Sequence, residues 1–574
     1  MNCALRKGNA QGSMECGNPR LQRTPRSLGL GSCFLWGSLA LSGLLLLAFR
    51  SSVLAQTSTL ESSSGECHVR AFGAKGDGIA LDTNSINAAI ESCHSSGGGT
   101  VVVDAGTFRT GTIRLLSNIT LKLETGATIL GSENLADYIH LAQASEGRDT
   151  ALIIAENTKN IAIVGEGMID GNGRAYTELG VPHFFPFFET AATRQAEAFT
   201  ARLSEGREGP VRMKERPGNL VLILHSDGVV LRDLRVVDSP NWSIHVACSS
   251  HVSINGLDVR NSLLVPNSDA IDISGSSNIT VANSYFEAGD DGLVLGGPCA
   301  DAWCQQTTEN IAVSNVILHS RSAAIRIGPS AKGVRNITVQ NAIITDSNRG
   351  INIQARAGET VENLLFTNIV SETRLVDGPW WGAGEPVSMT VARWAYPSWA
   401  DSSVQTAGRI RHVVFENIVA NSESPIVVYS LEPNRIEDVE FRDLRLTMKA
   451  SPLQSVIGGN LDLQPTTPLS LGITRRDLSA IEVHGVRDFR ITDSQVRWEG
   501  AFPDFYRSAL HAECFDGLTV NGFRGQAAAS RFAAMFFEQG KGLSVRNAQS
   551  VSGALLESSR VGSGGGSKQG KRCQ

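Results

Sequence analysis

No stretch of this 574-residue chain is apolar for long enough to span a membrane. The longest such run, Phe34 to Phe49, has 16 residues, short of the ~20 that a spanning helix needs. Basic charge is not in excess either, with 51 Lys and Arg against 57 Asp and Glu, which argues against a nucleic-acid partner. Between the strand-like runs there is no helical periodicity, which excludes alternating βαβ units. The regular leucine spacing of a horseshoe repeat is also missing. What remains is a chain that is 41% hydrophobic and 19% charged, enough for a large core, with 58 glycines suited to many turns.

The N-terminus reads as an export signal. Arg6, Lys7, Arg20, Arg23 and Arg26 form a long basic region ahead of the apolar run, and Val53 and Ala55 occupy the small-residue positions of a cleavage site. Met14 is an alternative start, and an uncleaved anchor is the competing reading. Residues 1–55 are thus expected to be a signal peptide and 56–66 a linker, and the mature chain to be secreted or periplasmic with no stable membrane insertion. Removing that segment leaves a net charge near −11 and seven cysteines. Outside the cytoplasm, Cys67–Cys93 and Cys299–Cys304 are the expected disulfides. The Gly/Ser/Lys tail, 557–574, is expected to be disordered.

One phrase recurs: a polar residue or Asn, alternating apolar residues, then Asn or Asp, as in SNITVANSYF, ENIAVSNVIL and RNITVQNAII. The first core positions fall at 229, 252, 279, 311, 337, 364, 413, 439, 489, 518 and 543, mostly 23 to 32 residues apart, with two intervals about double. Period-2 alternation marks strands with one buried face. A period near 25 fits a coil of three short strands and three turns stacked on the next coil. The expected fold is therefore all-β, a right-handed parallel β-helix over 67–556. LDTNSINAAIESCHSSGGG predicts a capping helix starting near Asp82 or Thr83 and ended by the glycine run. Loop insertions are expected at about 176–218, with an amphipathic helix in FFETAATRQAEAFTARLSEGREG, and at about 372–407, which holds four tryptophans.

The segment NSDAIDISGSSNITVANSYFEAGDDGLVL carries four aspartates within 23 residues: Asp269, Asp272, Asp290 and Asp291. Asp269 and Asp290 are about one coil apart, and Gly289 and Gly292 would permit the bend that brings Asp291 to the same groove. Three converging carboxylates suit glycoside hydrolysis, where one acid protonates the leaving oxygen and another activates water. A solvated turn ladder or a calcium site would give a similar cluster.

Several phrases together resemble the polygalacturonase-like glycoside hydrolase family 28. These are VRAFGAKGDGIALDTNSINAAI, SPNWSIH at 239–245, PNSDAIDI at 266–273 and AGDDGLVL at 288–295. The resemblance implies a pectin-lyase-like β-helix that hydrolyses pectin-like chains with inversion. It implies Asp290 as general acid, Asp269 and Asp291 as the pair that activates water, and Asn267 as the residue orienting them, with Ser268 in place of a Thr. Asp272 reads as structural, and Trp242 and His245 as packing. No organic cofactor or metal is implied.

The departures point to an altered substrate. The family's Gly-His-Gly motif aligns with SAAIRIG at 322–328, placing Ala323 where the His would be. Its Arg-Ile-Lys motif, which helps hold a uronic acid, aligns with Asn352-Ile353-Gln354. Arg321, Arg326, Arg349 and Arg356 are candidates to restore a carboxylate contact; otherwise the bound sugar is neutral or differently substituted. Trp380 and Trp381 are candidate stacking platforms for sugar rings, with Trp394 and Trp399 nearby, and Glu385 a candidate for sugar hydroxyls. The expected function is a hydrolase for a pectin-like polysaccharide or oligosaccharide other than plain polygalacturonate. A β-helix lyase and a non-catalytic carbohydrate-binding β-helix are the rivals.

Overall fold

The computed structural model describes residues 65–142, 148–183, 208–297, 304–330, 332–378, 380–393, 407–463 and 473–559. The signal segment, most of the helix expected over 187–209, Cys299, Trp394 and Trp399, and the chain beyond 559 lie outside the described residues.

The chain winds as a parallel β-helix. One wall is a parallel sheet of 14 strands, from Ile113–Leu115 to Leu556–Ser559, and longer parallel ladders form the remaining walls. The strands that matter for the site belong to the 14-stranded wall: β1 (Trp242–Ala247), β2 (Ile271–Ser274), β3 (Leu293–Leu295), β4 (Ala323–Ile327), β5 (Arg349–Ala355) and β6 (Glu385–Val391). Helix α1 (Thr83–Ser95) precedes them and packs Ile86, Ala89, Ile90 and Cys93 into the core. The carboxylate of Asp82 does not cap that helix; it accepts from the Lys75 and Gly76 amides at 2.7 and 3.0 Å and so ties down the GAKGDG loop.

All eleven core positions of the repeat stand in direct register. Val229 pairs with Val252, then Ile279, Ile311, Ile337, Leu364, Val413, Val439, Phe489, Leu518 and Leu543. The two double intervals are therefore single coils carrying long loops, because Leu364 pairs directly with Val413 and Val439 with Phe489. The recurring Asn has a local cause. Asn283, Asn315, Asn341, Asn368 and Asn417 all adopt positive φ, which Asn tolerates better than most residues, and each amide passes a hydrogen bond to the one before.

Inside the coils, Phe366, Phe415 and Phe441 stack nearly parallel at centroid spacings of 4.8 and 4.5 Å. Phe415→Ala removes the middle ring of a fully buried ladder. A loss of about 3–5 kcal/mol is expected, read as a lower denaturation midpoint.

Cys67 and Cys93 are bonded as expected, clamping α1 to the first coil. Cys304 pairs with Cys248, not Cys299. Its proximity to Cys299 in sequence was a poor guide because stacking brings Cys248, about two coils earlier, beside it. The strands run past the expected start of the tail, since Leu556–Ser559 pairs with Met535–Glu538. Among the described residues, no helix is long and apolar enough to cross a membrane.

Candidate active site

The aspartates sit where the chain enters β2 and β3. Ile271 pairs with Leu293, so register places Asp269 over Asp291, and the Ala270 amide donates to the Asp291 carbonyl at 3.0 Å. Asp290 joins them through the bend in front of β3. The bend requires glycine because of crowding: a Cβ on Gly289 would lie 2.3 Å from the Val265 carbonyl oxygen. Ser268 ties the two motifs together, donating to the Val265 carbonyl at 2.8 Å and accepting from the Gly289 amide at 3.1 Å.

One oxygen from each of Asp269, Asp290 and Asp291 lies within 4.8 Å of the others, and all three residues are buried. Their surroundings differ. Asp290 Oδ2 accepts from the backbone and side-chain nitrogens of Asn267 at 3.2 and 3.4 Å. Asp291 Oδ1 accepts from the Ala323 amide at 2.9 Å, and its Oδ2 pairs with Arg326 Nη1 at 2.7 Å. Asp269 Oδ1 is buried with no hydrogen-bond partner.

Burial, followed by repulsion from Asp291, pushes the Asp290 carboxyl up to about 7. Burial raises Asp269 well above the ordinary range too, helped by Asp272, Asp290 and Asp291. Burial opposes the charge of Arg326, but Asp291, Asp269, Asp272 and Asp290 together hold it firmly protonated. The aspartate triad is the one carboxylate group among the described residues spaced closely enough for a metal ion. Arg326 already supplies positive charge there and would repel a cation.

Residues 204–457, which contain this whole cluster, match the model for Glycosyl hydrolases family 28. The match covers a little under half of the chain, and over that part the chain is similar to that family. An exo-poly-alpha-D-galacturonosidase of Dickeya chrysanthemi is 29% identical over 328 residues, 52% of this chain and 54% of that protein. A probable polygalacturonase of Vitis vinifera is 24% identical over 304 residues, 50% of this chain and 56% of that protein. The chain thus spans a little over half the length of these two relatives. The family 28 exopolygalacturonase of Yersinia enterocolitica superposes with a TM-score of 0.54 at 20% identity, over 85% of this chain and 78% of that one. That likeness shows the shared fold, a right-handed parallel β-helix.

In this chain the outer face of the wall runs, coil by coil, His245, Asp272, Val294, Arg326, Asn352 and Ser388. Arg326 therefore stands directly beside Asn352, the position aligned with the family's Arg, and turns toward Asp291. Asn352 and Gln354 are both nearly buried, and Asn352 Oδ1 has no partner.

Other expected ligand contacts are committed to the protein. Arg349 and Glu385 form a fully buried pair, Nη2 to Oε1 at 2.7 Å and Nε to Oε2 at 3.1 Å, linking β5 to β6. Arg356 donates to the carbonyls of Thr390 and Leu463 at 2.7 and 2.8 Å. Arg321 bridges Asp346 and Glu208, both at 3.4 Å. Trp380 is fully buried, its indole N–H donating to the Glu208 carbonyl at 2.6 Å, so it packs the loop and offers no ring face to a sugar. Trp381 is half-buried. Trp242 and His245 pack edge to face at 5.0 Å, and burial lowers His245 to about 3, keeping it neutral.

Arg216 is the site residue that sequence reasoning missed. Its guanidinium donates to the Pro266 carbonyl at 2.8 Å and to Asn267 Oδ1 at 3.3 Å, setting the amide that holds Asp290. It sits inside the insertion, 51 residues from its partner, and no repeat or motif marks it.

Proposed function

We propose that this protein is an exported family 28 glycoside hydrolase that cleaves a pectin-like polysaccharide or oligosaccharide with inversion. What carries the proposal is the converged triad of Asp269, Asp290 and Asp291, in which one acid is poised near neutrality and another is held by a guanidinium. Asp290 gives its proton to the departing glycosidic oxygen as the bond to the anomeric carbon breaks. Water attacks that carbon from the opposite side, and its proton passes to the carboxylate pair of Asp269 and Asp291. Asn267, itself set by Arg216, orients Asp290. Export is supported by the disulfides Cys67–Cys93 and Cys248–Cys304, since such bonds persist in oxidising compartments.

The names of the relatives point to galacturonans, but the subsite beyond Asp291 differs. Arg321, Arg326, Arg349 and Arg356 all have protein partners there, while Asn352 and Gln354 are neutral. A uronate carboxylate would meet no dedicated guanidinium pair, whereas Asn352 Oδ1 can accept from a sugar hydroxyl. A neutral or differently substituted sugar is the occupant this favours.

The test is product release from a panel of plain polygalacturonate, mixed pectic chains and neutral pectic oligosaccharides. Release from a mixed or neutral chain, at least tenfold faster than from polygalacturonate, is expected. Comparable or faster cleavage of polygalacturonate would overturn the altered subsite. An unsaturated, ultraviolet-absorbing product would establish a lyase instead.

A further inference from the structure

We infer that Arg326 is a positioning residue that fixes the role of Asp291: by holding that carboxylate it reserves the side chain for the water and leaves the acid's proton to Asp290. The inference rests on the hydrolase reading and adds to it the device that separates acid from base. Three acids this close could share protons in several ways, and something must break the degeneracy.

The geometry does so. Both oxygens of Asp291 accept from fixed donors, Oδ2 from Arg326 Nη1 at 2.7 Å and Oδ1 from the Ala323 amide at 2.9 Å. Asp290 accepts only from neutral groups, Asn267 over longer contacts of 3.2 and 3.4 Å and the Ser322 side chain, and Asp269 Oδ1 accepts nothing. Register explains how Arg326 gets there. It lies one coil beyond Val294 and one before Asn352, so no charged neighbour on its column separates it from Asp272 or competes for it. Ala323, on the same strand and too small to intrude, leaves its amide open to Asp291.

The other groups around the triad do not substitute for it. Asp272 adds negative charge, His245 in register with it is held neutral, and Arg216, whose charge acts on Asp269 and Asp290, bonds Asn267 and not Asp291. A guanidinium within contact distance of a carboxylate favours its charged form by about one to three pH units. A merely structural arginine would change stability without redistributing protons.

The experiment compares pH–rate profiles of wild type, Arg326→Lys and Arg326→Gln on the pectic oligosaccharide that the wild type cleaves fastest. Arg326→Gln is expected to move the low-pH limb upward by about one to three units and narrow the bell, with Lys restoring the limb. An unmoved limb in a folded Gln variant would overturn the inference. A second readout needs neither activity nor that variant. Infrared spectra of the buried, protonated carboxyl band at pH 5.5 should weaken in Asp290→Asn and stay unchanged in Asp291→Asn; loss of the band in Asp291→Asn would equally overturn it. A wild type that releases no sugar would sink the hydrolase reading alone, leaving the infrared result to decide the proton placement.

Discussion

Asp290→Asn is expected to reduce product release by a factor of about 10²–10⁴ while oligosaccharide binding persists. Asparagine keeps the shape and can still face Asn267, but it has no proton to give the leaving oxygen. The same group sets the alkaline side of the pH profile. With its carboxyl near 7, Asp290 is protonated below neutrality and loses its proton as pH rises through about 7, so wild-type activity falls above that point. Stability follows the same sign. A carboxyl whose value is raised in the folded state contributes its full share below the unfolded value, and that share is lost as pH climbs through the folded one. Asp290→Asn should therefore match the wild type near pH 4 and be the more stable protein at pH 8. Thermal unfolding at the two pH values, alongside the rate assay, checks both halves.

The second large effect concerns the pair that joins β5 to β6. Arg349→Ala leaves Glu385 buried with one amide donor, from Ala383 at 2.7 Å, in place of a guanidinium fork. Breaking a buried pair on one side costs roughly 3–5 kcal/mol, because the remaining charge has lost its partner. Replacing both with apolar residues, as in Arg349→Met with Glu385→Leu, should recover most of that loss. Denaturant titration of the three proteins measures it. If Arg349→Ala were as stable as wild type yet bound oligosaccharide tenfold more weakly, Arg349 would be a ligand contact after all.

The regular part of the molecule was legible because stacking is periodic. Each coil must put an apolar side chain at the same angular position and an Asn or Gly at the same turn, so the register of all eleven core positions was written in the repeat. The convergence of the triad was legible for a related reason: Asp269 and Asp290 lie about one coil apart, and Gly289 and Gly292 flank the bend. What failed were inferences from proximity in sequence. Cys299 and Cys304 are five residues apart, yet Cys304 bonds a cysteine 56 residues earlier, because neighbours across coils are closer than neighbours along a loop. Trp380 and Glu385 stood out by type, but type does not tell which way a loop folds. Trp380 faces Glu208 and Glu385 faces Arg349. Arg326 stands out in the sequence as a candidate arginine, but the sequence does not show that it turns toward Asp291. Arg216 carried no signal at all.

The most direct measurement is the configuration of the sugar at the instant of release. Inverting enzymes usually hold their carboxyls about 6.5–9.5 Å apart and retaining ones about 5–5.5 Å. Here the nearest oxygens of the triad converge within 4.8 Å. Asp291, with both oxygens engaged by Arg326 and the Ala323 amide, is nonetheless a poor nucleophile, and the triad is read as holding a water. Proton NMR of a reaction started with wild-type enzyme should show the inverted anomer first, before mutarotation, and no sugar signal with Asp290→Asn. First appearance of the retained anomer would mean that an aspartate attacks the sugar itself, and would contradict the account.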